Sequence, residues 1–251
     1  MKQFFSKVIN VEELGDDVIK LTITNNEKIN FKPGQFLNIK PQKFEYPFLR
    51  RPISLHYYDG EKIELLIKVL GEGTKNMRKL VSGDIIDCIA PLGNGFELVK
   101  DKRVLIVGGG IGTAPMTLLA NELNEHNEVK VFYGFKNEFY GIERMVPQIV
   151  TVSEMTQGRF VTQDLEDELK KGFENTIIYA CGPTPMLKKI QQISNDYNVE
   201  AYISLEAKMA CGIGACIGCT VRIKSGNFDY LNMKVCVDGP VFISKDVIFD
   251  E

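Results

Sequence analysis

Four cysteines near the C-terminus, Cys211, Cys216, Cys219 and Cys236, are separated by four, two and sixteen residues. That is the ligand spacing of a plant-type [2Fe–2S] cluster. The first three lie in Cys211-Gly212-Ile213-Gly214-Ala215-Cys216-Ile217-Gly218-Cys219. Glycines there let the backbone wrap closely around inorganic sulfide and aim amide N–H groups at it, and they exclude a regular helix over the run. A chain built this way is read as an electron carrier.

Other uses of four thiols fit the spacing less well. A structural zinc site normally pairs two Cys-x2-4-Cys knuckles, and only Cys216 and Cys219 form such a pair. A thioredoxin-like redox pair at those two positions needs a helix N-terminus, whereas Gly218 and the β-branched run Thr220-Val221-Arg222-Ile223 argue for a strand. A disulfide framework needs an oxidising compartment. The segment Met1-Lys2-Gln3-Phe4-Phe5-Ser6-Lys7 lacks the apolar stretch of a secretion signal, and no segment approaches the roughly 18 apolar residues of a membrane span. The expectation is a soluble, cytoplasmic protein with no membrane partner. Cys88, within Asp84-Ile85-Ile86-Asp87-Cys88-Ile89, reads as a small buried hydrophobe.

The 251 residues, 44% hydrophobic and 25% charged, allow two domains and a small third. A formal net charge of −3 without a block of Lys and Arg argues against nucleic acid. Two histidines leave little room for a histidine-built metal or triad site.

Residues 1–100 carry short strand patterns at Val18–Thr24, Gln35–Ile39, Ile53–Tyr58 and Ile63–Val69, with turns at Pro33-Gly34, Asp59-Gly60 and Gly71-Glu72-Gly73, which predicts an antiparallel β-barrel. From Arg103 strands alternate with helices: Val104–Val107, then Pro115–Leu123, then Val129–Tyr133 and Thr176–Tyr179. Residues 101–200 are therefore expected to form a parallel-sheet α/β domain. Residues 201–251, with two short strands around Val221–Lys224 and Phe228–Met233, are expected to form a small cluster module dependent on its metal.

Two loops and one strand carry candidate ligand chemistry. In Arg50-Arg51-Pro52-Ile53-Ser54 a guanidinium can grip a pyrophosphate and a serine hydroxyl can bond a flavin edge. Alone, such a pair is usually an exposed strand edge, but Gly71-Glu72-Gly73-Thr74 adds a turn at a helix start with N–H groups for phosphate. The glycine turn Val107-Gly108-Gly109-Gly110-Ile111-Gly112-Thr113-Ala114-Pro115 is not the Rossmann fingerprint, because a third glycine counted from Gly108 would fall on Thr113. It supports a phosphate-bearing ligand, with Pro115 at the first helical position. The loop Ala180-Cys181-Gly182-Pro183-Thr184-Pro185-Met186 opens on a helix at the carboxyl edge of the same sheet, where ligands bind. Cys181 is either a buried thiol in a tight turn or a small polarisable group beside a nicotinamide.

Pro33-Gly34-Gln35-Phe36, Arg51-Pro52-Ile53-Ser54, Gly108 to Pro115 and Cys181-Gly182-Pro183 resemble the ferredoxin reductase superfamily over the first 200 residues. Ile53 departs from the tyrosine common at that position. With Met209-Ala210-Cys211-Gly212-Ile213-Gly214-Ala215-Cys216 and a close fourth cysteine, essentially the whole chain resembles the electron-transfer subunits of type B dihydroorotate dehydrogenases.

That resemblance implies FAD on a six-stranded barrel, NAD on the α/β domain and a [2Fe–2S] cluster. It implies a separate FMN-containing dihydroorotate dehydrogenase catalytic subunit as partner, in a heterotetramer of two of each, with electrons passing from FMN through the cluster and FAD to NAD+. Carried over by motif, Arg51, Pro52, Ile53, Ser54, Lys68, Val69, Leu70, Gly73 and Thr74 would bind FAD. Gly108, Gly109, Gly110, Gly112, Cys181, Gly182 and Pro183 would face the nicotinamide nucleotide, and Cys211, Cys216, Cys219 and Cys236 would ligate iron. Hydride transfer between flavin and nicotinamide needs no protein acid or base, so no catalytic side chain is assigned. Tyr133 to Glu138, at the end of the second strand, contains no arginine and favours NAD over NADP. Two alternatives stay open: the flavin and iron–sulfur subunit of a ferredoxin:NAD(P) oxidoreductase or of a sulfur- or hydrogen-metabolising complex, and a non-enzymatic iron–sulfur sensor.

Overall fold

Phe4, Ser6 and Val8 are buried with exposed residues between them, so one face of an N-terminal strand turns inward, apolar at Phe4 and Val8 and polar at Ser6. In the computed structural model, which describes residues 1–15, 17–153, 157–226 and 228–249, this is β1 (Lys2–Gly15). Its first half pairs antiparallel with β7 (Ile85–Leu92) and its second half with β2 (Val18–Thr24), the register shifting between Val8 and Asn10. A bulge there bends one strand across two sides of the sheet. With β3 (Phe36–Pro41), β4 (Arg51–Ser54), β5 (Tyr57–Tyr58) and β6 (Lys62–Lys68), the order is β4-β3-β7-β1-β2-β6-β5. The sheet curls as a half-barrel around Leu21, Ile39, Leu65 and Cys88. Cys88 is fully buried there, and burial pushes its thiol pKa upward. The helix α1 (Glu72–Arg78) follows β6. The pattern expected as one strand over Ile53–Tyr58 is two, interrupted at Leu55 and His56 where His56 turns wholly inward.

The second sheet runs β10-β9-β8-β11-β12-β15, formed by β8 (Arg103–Gly109), β9 (Glu128–Phe135), β10 (Gln148–Ser153), β11 (Thr176–Cys181), β12 (Glu200–Ser204) and β15 (Val241–Ile243). All but β15 are parallel. Strand β8 shows the sandwich: Val104 and Ile106 pack with Leu119 and Leu123 of α2 (Met116–Leu123). Leu105 and Val107 pack on the other face with Leu165 of α3 (Val161–Leu169) and Ile190 of α4 (Thr184–Asp196). Helices on both faces make β8 and β11 uninterrupted apolar runs. Pro115 stands at the position just before α2 rather than at its first helical residue, and makes no side-chain capping bond.

A three-stranded sheet, β14 (Leu231–Lys234), β13 (Thr220–Ile223) and β16 (Val247–Ile248), completes the chain. It does not stand apart. Cys219, Cys236, Val235 and Phe242 share a core with α4 and β12, and β15 leaves the module to pair with β12.

Candidate functional site

The strand pair β3–β4 sets Arg51 opposite Ile39, Pro52 opposite Asn38, Ile53 opposite Leu37 and Ser54 opposite Phe36. The two neighbouring arginines part company. Arg50 pairs with buried Asp87 of β7, which also accepts from Gln3 Nε2 at 3.0 Å. Arg51 instead donates to the carbonyls of Leu49 and Arg50 at 2.8 and 3.2 Å, and among the described residues it has no carboxylate partner. Its guanidinium lies on the first turn of α1: a Cβ on Gly73 would come within 2.6 Å of Arg51 Nε. A loop roofs this recess, held by Asn76 Nδ2 donating to the Tyr46 carbonyl at 2.9 Å. A guanidinium, a bare glycine and a helix start together make a cradle that suits a pyrophosphate.

Ser54 is half-buried at the end of β4, and Ile53 packs on the barrel core. Lys68 is exposed, Val69 is buried with its N–H on the Asp17 carbonyl at 2.7 Å, and Leu70 is 75% exposed. The Thr74 hydroxyl accepts from the N–H groups of Leu70 and Gly71 at 2.9 and 3.2 Å. The Gly71 N–H, expected bare as part of the Gly71–Thr74 turn, is thus capped by the helix's own side chain.

In the second sheet, the glycine turn and the Cys181 loop leave the carboxyl ends of adjacent parallel strands, β8 and β11. They touch. A Cβ on Gly109 would meet Met186 Sδ at 2.6 Å, and one on Gly112 would meet the Cys181 carbonyl oxygen at 2.5 Å. Gly110 has φ +53, a conformation that favours glycine. Cys181 is partly exposed to solvent but otherwise enclosed by protein, and burial, opposed by a hydrogen bond with Ser204, pushes its thiol up to about 12. Burial there disfavours the thiolate, the form in which a cysteine is nucleophilic.

The two sides are joined at a residue the sequence left unremarked. His56 is fully buried, two residues past Ser54, with Nδ1 3.0 Å from the carbonyl oxygen of Ala114 at the end of the glycine turn. A carbonyl can only accept, so Nδ1 carries the proton. Burial lowers the pKa of the ring, which is neutral.

The four C-terminal thiols come as two pairs. Cys211 and Cys216 have sulfurs 3.3 Å apart, and Cys236 hydrogen-bonds with Cys219. The loop turns its amides inward: N–H groups of Ile213, Cys216 and Ala215 reach Cys211 and bring its thiol down to about 6, and that of Gly214 reaches Cys236. Burial, reinforced by Cys219, pushes Cys236 the other way, to about 11. Gly212 and Gly214, at φ +67 and +83, make these amide orientations possible. Two thiol pairs beneath N–H donors supply two ligands for each metal of a two-iron cluster and donors for its sulfides, although among the described residues no three of these groups converge on a single metal position. Cys219 and Cys236 are buried, whereas Ile217 between Cys216 and Cys219 is 80% exposed.

Comparison with known proteins bears directly on this arrangement. The family model for the iron–sulfur cluster binding domain of dihydroorotate dehydrogenase B matches residues 206–248, and that for an FAD-binding domain matches residues 3–133. The electron transfer subunit of dihydroorotate dehydrogenase B (NAD(+)) from Caldanaerobacter subterraneus subsp. tengcongensis is 41% identical over 97% of this chain and 98% of its own. The chain belongs to this family. A second electron transfer subunit, from Clostridium perfringens, is 38% identical over 99% of both chains. All four paired cysteines lie in the segment matched as dihydroorotate dehydrogenase B iron–sulfur domain, and Arg51 to Thr74 in that matched as FAD-binding. Among solved structures, an NADH-dependent reduced ferredoxin-NADP oxidoreductase studied for flavin-based electron bifurcation superposes with TM-score 0.82 and 27% identity, covering 97% of this chain and 89% of that one. Phthalate dioxygenase reductase shares the fold, with TM-score 0.68 and 15% identity over 89% and 87% of the two chains.

Proposed function

We infer that this chain is the electron-transfer subunit of an NAD-linked dihydroorotate dehydrogenase, delivering to NAD+ the electrons that an FMN-containing catalytic subunit takes from dihydroorotate during pyrimidine biosynthesis. The observation that carries the reading is the pair of cysteine pairs, fixed by inward amides and packed against the same β3–β4 hairpin that presents Arg51 and Ser54. When bound, the cluster would relay single electrons and the flavin would collect two of them together with a proton from solvent, so that NAD+ could take up a hydride and leave as NADH.

The residues divide this labour by position. Arg51 holds the FAD phosphates with Gly73 and Thr74 beneath, Ser54 faces the flavin ring, and Pro52, Ile53 and Lys68 to Leu70 line its course. Gly108, Gly109, Gly110 and Gly112 approach the nicotinamide dinucleotide closely, with Cys181-Gly182-Pro183 against its reactive end. Cys211, Cys216, Cys219 and Cys236 ligate iron. In this division 1–100 serves flavin, 101–200 serves NAD and 201–251 serves the cluster. Exposed Ile213, Ile217, Phe228 and Tyr230 around the cluster loop face the catalytic subunit, in an assembly of two copies of each. No described helix is long and apolar enough to cross a membrane, and six free cysteines suit a cytoplasmic site.

Anaerobic co-expression with the catalytic subunit tests this: the complex reduces NAD+ with dihydroorotate, whereas the isolated chain shows only NADH-driven dye reduction. Dihydroorotate oxidation by the isolated chain would overturn it. A second reading, a subunit of an NADH-dependent ferredoxin-NADP oxidoreductase, is favoured by the 0.82 superposition; that partner would retain the chain and yield no dihydroorotate-linked activity.

A further inference from the structure

Strand β3 carries a residue that hydrophobicity alone would not place there. Asn38 is 2% exposed, between Leu37 and Ile39, which are fully buried in the barrel core. Its Nδ2 donates to the carbonyl oxygen of Cys211 at 3.1 Å, across 173 positions of sequence. Because a carbonyl only accepts, this fixes the amide orientation and turns Oδ1 the other way, where that atom is buried without a donor. A buried, unpaired acceptor is unfavourable, and valine or isoleucine would suit the strand better. The single bond to Cys211 is what the amide gains.

That bond acts on the first cluster cysteine. The peptide after Cys211 leads into Gly212, at φ +67, and a Cβ on Gly212 would lie 2.5 Å from Asn38 Nδ2. Only glycine lets the amide close on the carbonyl. The next N–H groups along the loop, from Ile213, Ala215 and Cys216, converge on the Cys211 sulfur. Anchoring the Cys211 carbonyl therefore anchors the peptide from which this donor array starts. On the opposite side Asn38 is registered with Pro52, within the Arg51–Ser54 segment. One side chain thus spans from the strand pair of the proposed flavin motif to the proposed iron-binding loop.

We propose that Asn38 is a positioning residue for electron transfer: its amide clamps the Cys211 loop onto the flavin-bearing strands, fixing both the separation of the two redox sites and the amide donors around the Cys211 thiolate. The assignment rests on the cofactor reading given under Proposed function. It gives Asn38 no contact with either cofactor.

Asn38→Leu separates this role from simple packing, since it removes the donor and the stranded acceptor together while keeping the volume. The experiment uses the full-length chain, purified anaerobically with its cofactors. The variant is expected to melt at or above the wild-type temperature. The midpoint potential and the EPR g values of its reduced cluster should shift. After mixing with NADH, the ratio of cluster-reduction rate to flavin-reduction rate should fall by up to about a hundredfold, as a misplacement of partners on the ångström scale can cost. Unchanged EPR, potential and rate ratio in a folded, cluster-loaded Asn38→Leu chain would overturn the proposal. If Asn38→Leu loses its iron, the same three measurements are made on Asn38→Thr, a strand former too short to reach the Cys211 carbonyl. Shifts there support the clamp, and wild-type values there overturn it. Wild-type protein without flavin or iron would instead defeat the cofactor reading itself.

Discussion

The Nδ1–H of His56 donates to the carbonyl oxygen of Ala114 across 3.0 Å, so the chain just beyond Ser54 is tied to the end of the glycine turn. The ring is buried, and the charged groups that act on it are Glu143, Glu64 and Lys20. Its folded pKa lies below the unfolded value, so the unfolded chain binds a proton that the folded chain refuses. Stability from this residue is therefore complete above the unfolded pKa, about 6.5, and declines as pH falls below it toward the lower folded value. His56→Gln should cost about 1 kcal/mol near pH 8 through the weakened bond, and its deficit should narrow as pH drops to about 5. Thermal melts of both proteins across that range check it; a constant gap would mean that His56 does not titrate with folding.

Arg51→Ala should loosen flavin by roughly 10- to 100-fold, the loss of about 1.5–3 kcal/mol expected for charge-assisted hydrogen bonds. Arg51→Lys should fall between, because an ammonium restores charge but not the two-pronged grip. Flavin-to-protein ratios after gel filtration give the order. Arg50→Ala should instead lower the melting temperature, since it leaves the buried Asp87 carboxylate with only the neutral Gln3 amide as donor.

Iron content should separate two buried cysteines that composition treats alike. Cys236→Ser should lose iron and acid-labile sulfide, because Cys236 sits with Cys219 beneath the Gly214 amide. Cys88→Ser should keep both, being enclosed in the barrel with its sulfur 3.8 Å from the Ile86 carbonyl. Equal loss in the two proteins would redraw the ligand set.

Gly112→Ala should raise the NADH dissociation constant by about tenfold, since its Cβ would press on the Cys181 carbonyl and part the two loops. Titration of the bound flavin signal with NADH measures it.

Ile217→Glu should weaken assembly with the catalytic subunit by about tenfold or more, as a charge introduced among exposed apolar neighbours opposes desolvation. Size-exclusion chromatography of the mixed subunits at several concentrations reads the effect, and iron analysis of the same fractions shows whether the cluster is retained.

Much of this architecture is legible in the chain because its signals are local. The cysteine spacing, the glycine turn and the apolar runs of β8 and β11 each lie within a short window, and β2 falls on the expected Val18–Thr24. The strand β1 escapes that reading because buried Ser6 interrupts its apolar alternation, and its hydroxyl finds its partner in Thr24, on the neighbouring strand. The divergence of Arg50 from Arg51 depends on Asp87, and the break at His56 on Ala114, both remote in sequence. Asn38 reads as an ordinary polar interruption until Cys211 is brought beside it.

The strand β15 gives iron loss a reach beyond the cluster. It comes from the cysteine module yet forms the outer edge of the nucleotide sheet, bonded along Tyr202, Ile203 and Ser204. A module that unravels without its metal would withdraw that strand and leave β12 as an open edge, ready to pair with another chain. Loss of the cluster should then show as aggregation through the β12 edge, which light scattering before and after iron chelation measures.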